Sequence, residues 1–195
     1  MPQLGPLVPF RRLLSLALLL LLAVAAPAQA DERPSRDAQT AALLQLLRAP
    51  HPQVDGPALA RLGPDVHAIL IEQATAAGAE VAIRQRALAW LQYFPTTASR
   101  AVLMEALRAR GASVGTVRVV LRALAIGFGV DALPVLSEHL LHKNVYIREA
   151  SAFALGDLDD RRVPAILEDQ LARESELAVR DAIEASLQRI AKRRR

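Results

Sequence analysis

The apolar positions of residues 51–191 follow the period of an α-helix. Within each stretch they fall at i, i+3, i+4 and i+7, and no stretch alternates polar and apolar residues as a half-buried β-strand does. Glycines and prolines divide the chain into short helices joined by tight turns. The pattern therefore predicts an all-α fold.

The predicted helices repeat with a period of thirty-odd residues. A branched apolar residue followed by arginine occurs four times, at spacings of 34, 30 and 32 residues; the arginines are Arg84, Arg118, Arg148 and Arg180. Leucines recur in the alternate helices, at Leu70, Leu103, Leu136 and Leu167. A degenerate first copy has Asp55 in the arginine position. Because one helix pair cannot bury its Ala/Leu face alone, neighbouring pairs are expected to stack into a solenoid.

The clearest copy, VYIREASAFALGDLDDRRVPAILEDQL, resembles a HEAT-like repeat of the bilin-lyase type. The shared elements are the apolar-Arg pair, the Ala/Leu core and the Leu-Gly-Asp turn. The resemblance covers residues 51–191 and implies a right-handed α-solenoid of about four and a half helix-turn-helix repeats that serves as an interaction scaffold. The position four before each arginine, often Asp in the family, is Val114 in one copy, which interrupts a polar ladder between repeats.

Residues 1–30 have the pattern of a secretory signal peptide. A basic pair precedes an apolar run over residues 13–26, and Ala28 and Ala30 form a small-x-small cleavage site. The run is about fourteen residues, shorter than the ~20 that a membrane-spanning helix needs. We therefore expect cleavage after Ala30, a periplasmic or secreted protein, and no membrane span in the processed chain. A retained N-terminal anchor is the alternative.

Charge and cysteine content narrow the classes of function. Of the 24 basic residues, two lie in the predicted signal peptide and four in the tail at 192–195, so 18 remain beside 20 acidic residues. Such a body lacks the basic face of a nucleic-acid-binding protein. With no cysteine, the chain has no disulfides, thiolate metal sites or cysteine nucleophiles. The basic tail is expected to complement a helix C-terminus; contact with anionic lipid is the alternative.

Four carboxylates define an acidic stripe and the first candidate binding site. They follow the repeated leucines by two residues: Glu72, Glu105, Glu138 and Asp169. Equivalent positions stack in a solenoid, and the resemblance to HEAT-like repeats implies that their helices line the concave surface, the usual binding face. The stripe predicts a groove for a basic or polar protein segment. Alternatively, it is solvated or pairs with Arg100, Arg108 and the arginine column.

The arginine column and two aromatic residues are the other candidates. The four arginines are interpreted as a structural ladder that caps helices or pairs between repeats. Trp90 and Tyr93, in AWLQYFP, have no aromatic equivalents in the other copies. Core filling is the expected role of both, and a partner-binding anchor is the alternative.

Three enzyme-like patterns receive structural interpretations. Ser113 lies in a G-x-S-x-G sequence, but a helix precedes it where a nucleophile elbow needs a strand, so an N-cap is expected. His139 and His142 lie one turn apart, whereas a zinc site needs three or four ligands. Asp160 in GDLDD is expected to be an N-cap. The sequence thus predicts no catalytic residue, metal or cofactor.

These observations predict an exported, non-enzymatic HEAT-like scaffold that binds a protein partner in the cell envelope. Residues 31–50 form a linker and a helix that caps the first repeat, 51–191 form the repeats, and 192–195 form the tail. The alternatives are a membrane-tethered regulatory module and a lyase accessory of the bilin-lyase type. Nothing in the sequence gives the oligomeric state or names the partner.

Overall fold

The computed structural model describes residues 33–195, so the predicted signal peptide and its cleavage residues Ala28 and Ala30 lie outside the described residues. The helices are α1 (Arg36–Arg48), α2 (Gly56–Ala60), α3 (Val66–Thr75), α4 (Val81–Trp90), α5 (Thr97–Arg108), α6 (Val114–Phe128), α7 (Leu133–His139), α8 (Val145–Asp157), α9 (Val163–Arg173) and α10 (Leu177–Arg193). Short 3-10 turns follow α4, at Leu91–Tyr93, and α6, at Gly129–Ala132.

The helices form two layers. Helices α1, α4, α6, α8 and α10 pack against one another in that order, and α3, α5, α7 and α9 each pack against the helix that follows them. Helix α2 lies in the connection between α1 and α3. This arrangement confirms the predicted all-α solenoid of stacked helix-turn-helix units.

The two layers differ in spacing. Helices α4, α6, α8 and α10 are in close contact along the stack, whereas contacts among α5, α7 and α9 are sparse. In a curved stack, the layer with the smaller spacing lies on the inside of the curve. We therefore call α1, α4, α6, α8 and α10 the concave layer and α3, α5, α7 and α9 the outer layer.

The core lies between the layers. The repeated leucines of the outer layer are completely buried: Leu70, Leu103, Leu136 and Leu167. They pack in a continuous cluster with buried residues of the concave layer, such as Leu88, Leu121 and Leu155. Each such leucine contributes about 1.5–3 kcal/mol through burial. The predicted leucine column is therefore the outer layer's contribution to the core.

Helix α1 begins the concave layer, where it packs against α3 and α4. Its buried Gln39 stands at the fourth helical position, which arginine occupies in α4, α8 and α10. The Gln39 amide donates to the Pro34 carbonyl and the Asp65 carboxylate, and its Oε1 accepts from the Asp65 N–H. Gly63, at φ +139°, lies so close that a Cβ there would overlap Gln39.

The expectation that Asp55 takes the arginine position of a first repeat is therefore wrong. Asp55 precedes the five-residue α2 as its N-cap, and its carboxylate accepts from the Ala58 N–H. Aspartate favours turns and helix N-caps over helix interiors, and Asp55 has that role here.

Among the described residues, one continuous helical stretch, Val114–His139, is long and apolar enough to span a membrane. Half of its most apolar window is buried inside the fold. The buried side chains of α6 include Val120, Leu121 and Leu124, and the helix packs against α4, α5 and α8. Its hydropathy is that of a central core helix.

Candidate functional site

Three of the four repeated arginines cap outer-layer helices. Arg84 donates to the Ala76 carbonyl at 2.8 Å, Arg148 to the His142 carbonyl at 2.9 Å, and Arg180 to the Leu171 carbonyl at 2.9 Å. In each case the acceptor lies at or just beyond the C-terminus of the preceding outer-layer helix. These guanidinium groups satisfy carbonyls that have no partner within their own helix.

Arg148 also holds the most buried ion pair. Its Nε and Nη2 each donate to a Glu174 oxygen at 2.8 Å, and Glu174 is only 7% exposed. Glu174 accepts further hydrogen bonds from the Gln170 amide and the Glu176 N–H. The hydrogen bonds from Arg148, with those from Gln170 and Glu176, lower the pKa of Glu174 to about 2, against the effect of burial. Arg148 thus joins two successive turns between repeats.

Arg118 occupies a different place. Ser113 caps α6 and accepts from the Thr116 N–H, so the fourth helical position belongs to buried Val117 and Arg118 stands fifth. One residue rotates a side chain by about 100° around an α-helix. Arg118 is therefore exposed on the concave side of α6, away from the C-terminus of α5. The interpretation of this arginine as a member of the ladder is wrong.

Arg118 lines a groove of about 630 Å³ that crosses the concave layer from α4 to α10. Its lining residues are Gln85, Gly115, Arg118, Val119, Arg122, Ala150, Phe153, Ala154, Asp157 and Arg189. Gly115, Ala150 and Ala154 contribute small side chains to its lining, and Phe153 is 37% exposed. The groove therefore combines small residues, an aromatic surface and arginines, of which aromatics and Arg are typical of binding hot spots.

The arginines of the groove differ in their partners. Arg189 lies 3.6 Å from the Asp157 carboxylate, donates to the Phe153 carbonyl at 3.1 Å, and covers the Phe153 ring at 5.6 Å. Arg118 and Arg122, one turn apart on α6, have no ion pair or hydrogen bond with any residue from 33 to 195. Both guanidinium groups are therefore available to bind a ligand.

Apolar side chains stand at the N-terminal ends of three concave-layer helices. Val81 of α4, Tyr146 of α8 and Leu177 of α10 are all more than half exposed, and Leu177 reaches 70%. We call them the apolar rim. None of the three is among the groove-lining residues, and Val81 lines a separate cavity with residues of α3, α4 and α5.

The acidic stripe lies on the other side of the fold. Its four carboxylates are exposed on α3, α5, α7 and α9, all helices of the outer layer: Glu72, Glu105, Glu138 and Asp169. Our placement of these helices on the concave surface is wrong, because the helices of the arginine motif are the more closely spaced. Glu72 forms an ion pair with Arg36, and the other three carboxylates form none within the part of the chain described.

The two aromatic candidates, Trp90 and Tyr93, make contacts within the fold. Trp90 is only 7% exposed and belongs to the core cluster. Tyr93 is half-buried, and its hydroxyl donates to the Val54 carbonyl at 3.0 Å. The geometry favours core filling over a binding anchor for both residues.

The enzyme-like patterns serve local structure. Ser113 is an N-cap, as expected. The His139 ring bonds to the Val135 carbonyl and His142 accepts from the Asn144 N–H; within residues 33–195 no three potential metal ligands cluster. Asp160 is not the N-cap of α9, since Arg162 precedes that helix. Its carboxylate accepts from the Arg162 guanidinium and from the Arg162 N–H, and these hydrogen bonds lower the pKa of Asp160 to about 2.

The concave groove was missed because the arginine motif was aligned by residue type. The signal was present in the spacings: the leucines of the outer layer are 33, 33 and 31 residues apart, whereas the arginines are 34, 30 and 32 apart. If Val117 replaces Arg118 in the arginine series, the spacings become 33, 31 and 32 residues. The displaced Arg118 could have been recognised from this irregularity.

Stacked helix pairs with a groove along one layer define an α-solenoid. Residues 109–188, from the end of α5 to within α10, match the family of HEAT repeats. The match and the helical stack together support a HEAT-like repeat protein, a class that typically binds other proteins and is typically non-catalytic. No curated protein matches the chain.

Proposed function

We propose that this protein is an exported, non-enzymatic scaffold that binds a protein partner in the cell envelope through its concave groove. The observation that carries the proposal is the free pair of arginines, Arg118 and Arg122, beside exposed Phe153. An arginine pair and an aromatic ring in one groove match the composition of protein-binding hot spots. The proposal keeps the concave face as the binding face and moves it to the layer of α4, α6, α8 and α10.

The apolar rim adds a second support. Tyr146 and Leu177 belong to α8 and α10, the helices that also supply Phe153 and Arg189 to the groove. A partner segment that leaves the groove at this side would cover apolar surface now exposed to water.

Export is proposed from the first thirty residues. The basic pair, the short apolar run and the Ala28-x-Ala30 site favour a cleaved signal peptide. Mass spectrometry of the protein from its own cells tests this. Loss of residues 1–30 and recovery in a periplasmic or secreted fraction would support export, while an intact chain in the membrane fraction would favour the tethered module. An intact chain in the cytoplasm would contradict both export and membrane tethering, and it would favour the alternative of a lyase accessory.

Crosslinking in the envelope fraction tests the binding face. The aromatic variant Tyr146→Ser/Phe153→Ser removes the exposed ring of the groove and the exposed ring of the apolar rim on the same helix. We expect it to lose the crosslinked partner while keeping its helicity. The matched control, Glu105→Lys/Asp169→Lys, changes two exposed outer-layer residues and should retain the partner.

Each pattern of capture has a distinct meaning. Loss of the partner in the control alone would move the binding face to the outer layer and restore the acidic stripe as the site. Retention in both variants would exclude the groove, and capture of nothing by the wild type would contradict the scaffold itself.

A further inference from the structure

We infer that the concave groove selects an acidic, extended segment of its protein partner, with carboxylates bound by Arg118 and Arg122. This inference rests on the proposed function and adds the chemistry of the partner. It reverses the sequence-based expectation, since the acidic stripe predicted a basic partner. The concave layer presents arginines and the outer layer presents carboxylates, so a partner bound in the groove should be acidic.

The two arginines have no structural task that would account for them. Arg84, Arg148 and Arg180 donate to main-chain carbonyls, whereas the phase of α6 turns Arg118 away from the C-terminus of α5. Arg122 follows one turn later on the same side of α6 and lines the same groove. Side chains at i and i+4 lie about 5–6 Å apart at Cβ, so both guanidinium groups can bind carboxylates of one segment.

The charges around the pair favour an anionic ligand. Asp157 is the one carboxylate among the groove-lining residues, and it already lies beside Arg189. Gln85, on the α4 side, is uncharged and hydrogen-bonds the Thr116 hydroxyl at 3.2 Å. The part of the groove between α4 and α8 therefore carries two arginines that form no ion pair within residues 33–195, and they complement acidic side chains.

The shape and the apolar surface favour a polypeptide over a free ion. The groove crosses four helices, and Gly115, Ala150 and Ala154 let a main chain approach closely. Phe153 offers a ring beside the arginines on which an apolar side chain of the same segment can pack. We therefore expect acidic residues interspersed with large apolar ones.

Selection from a library of random short peptides tests the inference without a known partner. The full chain in mild detergent is the bait, beside Arg118→Gln/Arg122→Gln and a matched control, Arg61→Gln/Arg108→Gln. Arg61 and Arg108 are exposed, outside the groove, and make no ion pair within the described residues. The control removes the same charge from other surfaces.

We expect the wild type and the control to enrich Asp and Glu with Leu, Phe or similar residues, and the groove variant to lose the acidic enrichment. Fluorescence anisotropy with an enriched peptide should show at least about tenfold weaker binding to the groove variant and less than about twofold to the control. The affinity should also fall with added salt.

Several results would overturn the inference. They are no enriched peptide, peptides without acidic enrichment, equal enrichment on the groove variant, and displacement of the peptide by inorganic phosphate as readily as by unlabelled peptide. In the last case the arginines form a site for small anions. If the envelope partner is still captured through Tyr146 and Phe153, the scaffold proposal survives and only the acidic segment fails.

Discussion

Helices α8 and α6 carry the same apolar-Arg pair and use it in opposite ways. In α8, Asn144 is the N-cap and Arg148 stands fourth, where it caps α7 and binds Glu174. In α6, Ser113 is the N-cap and Arg118 stands fifth, exposed in the groove. A shift of one residue separates a structural arginine from one that is available to a partner.

In α6 and α8, the core positions correspond when residues are counted from the N-cap and do not correspond when they are counted from the arginine. Both caps accept a backbone N–H within the first turn, Asn144 from Tyr146 and Ser113 from Thr116. From the seventh position onward the buried positions of the two helices coincide, with Leu155 and Leu124 both eleventh, whereas the first buried residue is third in α8 and fourth in α6. Position relative to the cap decides the role of an arginine, and the residue pair alone does not.

The largest effect is expected from Arg148→Ala. The change leaves Glu174 buried without its counter-charge and the His142 carbonyl without its donor. Breaking a buried ion pair on one side costs about 3–5 kcal/mol, and the 15% exposure of the Arg148 side chain places this case near the lower end. Urea unfolding at neutral pH measures the loss. The double variant Arg148→Met/Glu174→Leu serves as control and should recover part of the stability, because neither charge is then left alone.

The second prediction uses the pH dependence of Glu174. Its pKa is about 2 in the folded protein against an ordinary 4.5, so the stabilisation is complete above pH 4.5 and is lost as the pH falls towards 2. We expect Glu174→Gln to lose about 2–3 kcal/mol at neutral pH and progressively less below pH 4.5. Urea titrations of both proteins across this range check it. A difference that stays constant with pH would show that the ion pair contributes nothing through charge.

The third prediction concerns how closely α8 packs against α10. A Cβ on Gly156 would lie 2.5 Å from the Ser186 Cβ and 2.6 Å from Arg189 Nη2. The corresponding position of α6, twelfth from the cap, holds Ala125, so α6 and α8 pack with room for a methyl group. Gly156→Ala should destabilise by about 2 kcal/mol through overpacking.

A double-mutant cycle separates this clash from a change in helix propensity. Ser186→Gly removes the Cβ that a methyl group at Gly156 would meet. It should make Gly156→Ala nearly neutral or stabilising, because alanine is the better helix former. Equal costs in both backgrounds would rule out the close approach of α8 and α10.

The fourth prediction tests the caps. Ser113→Ala and Asn144→Ala should each cost about 1 kcal/mol, since each removes one acceptor from a helix N-terminus. Thermal unfolding of the two variants measures this. Ser113→Thr, which keeps the hydroxyl, is the control and should lose much less. A neutral Ser113→Ala would mean that α6 begins at another residue, and the phase difference from α8 would lose its basis.

The sequence was sufficient for the fold class because its evidence is periodic and local. The helical spacing of apolar residues and the leucine column predict stacked helix pairs, and Leu70, Leu103 and Leu136 are buried as that column requires. The N-cap at Ser113 follows from side-chain chemistry alone.

The binding face could not be predicted in the same way. Which layer lies inside the curve depends on the spacing between helices of different repeats, and the residue pattern of one repeat does not contain it. Gln39 was missed for a related reason. Its partners, Pro34 and Asp65, lie on either side of an irregular connection through α2, so no repeat motif marks it.

The smallest stability effect is expected where the comparison began, at the arginines of α6. Arg118→Ala and Arg122→Ala should each change the free energy of unfolding by less than about 0.5 kcal/mol, because neither side chain has a partner within residues 33–195 and alanine favours the helix. Arg84→Ala is the matched comparison. It removes hydrogen bonds to the carbonyls of Ala76, Ala77 and Ala79 and should cost about 1–2 kcal/mol in the same urea assay. Equal losses at Arg84 and Arg118 would make Arg118 a capping residue after all, and the groove would then lose a charge that the binding of an acidic segment requires.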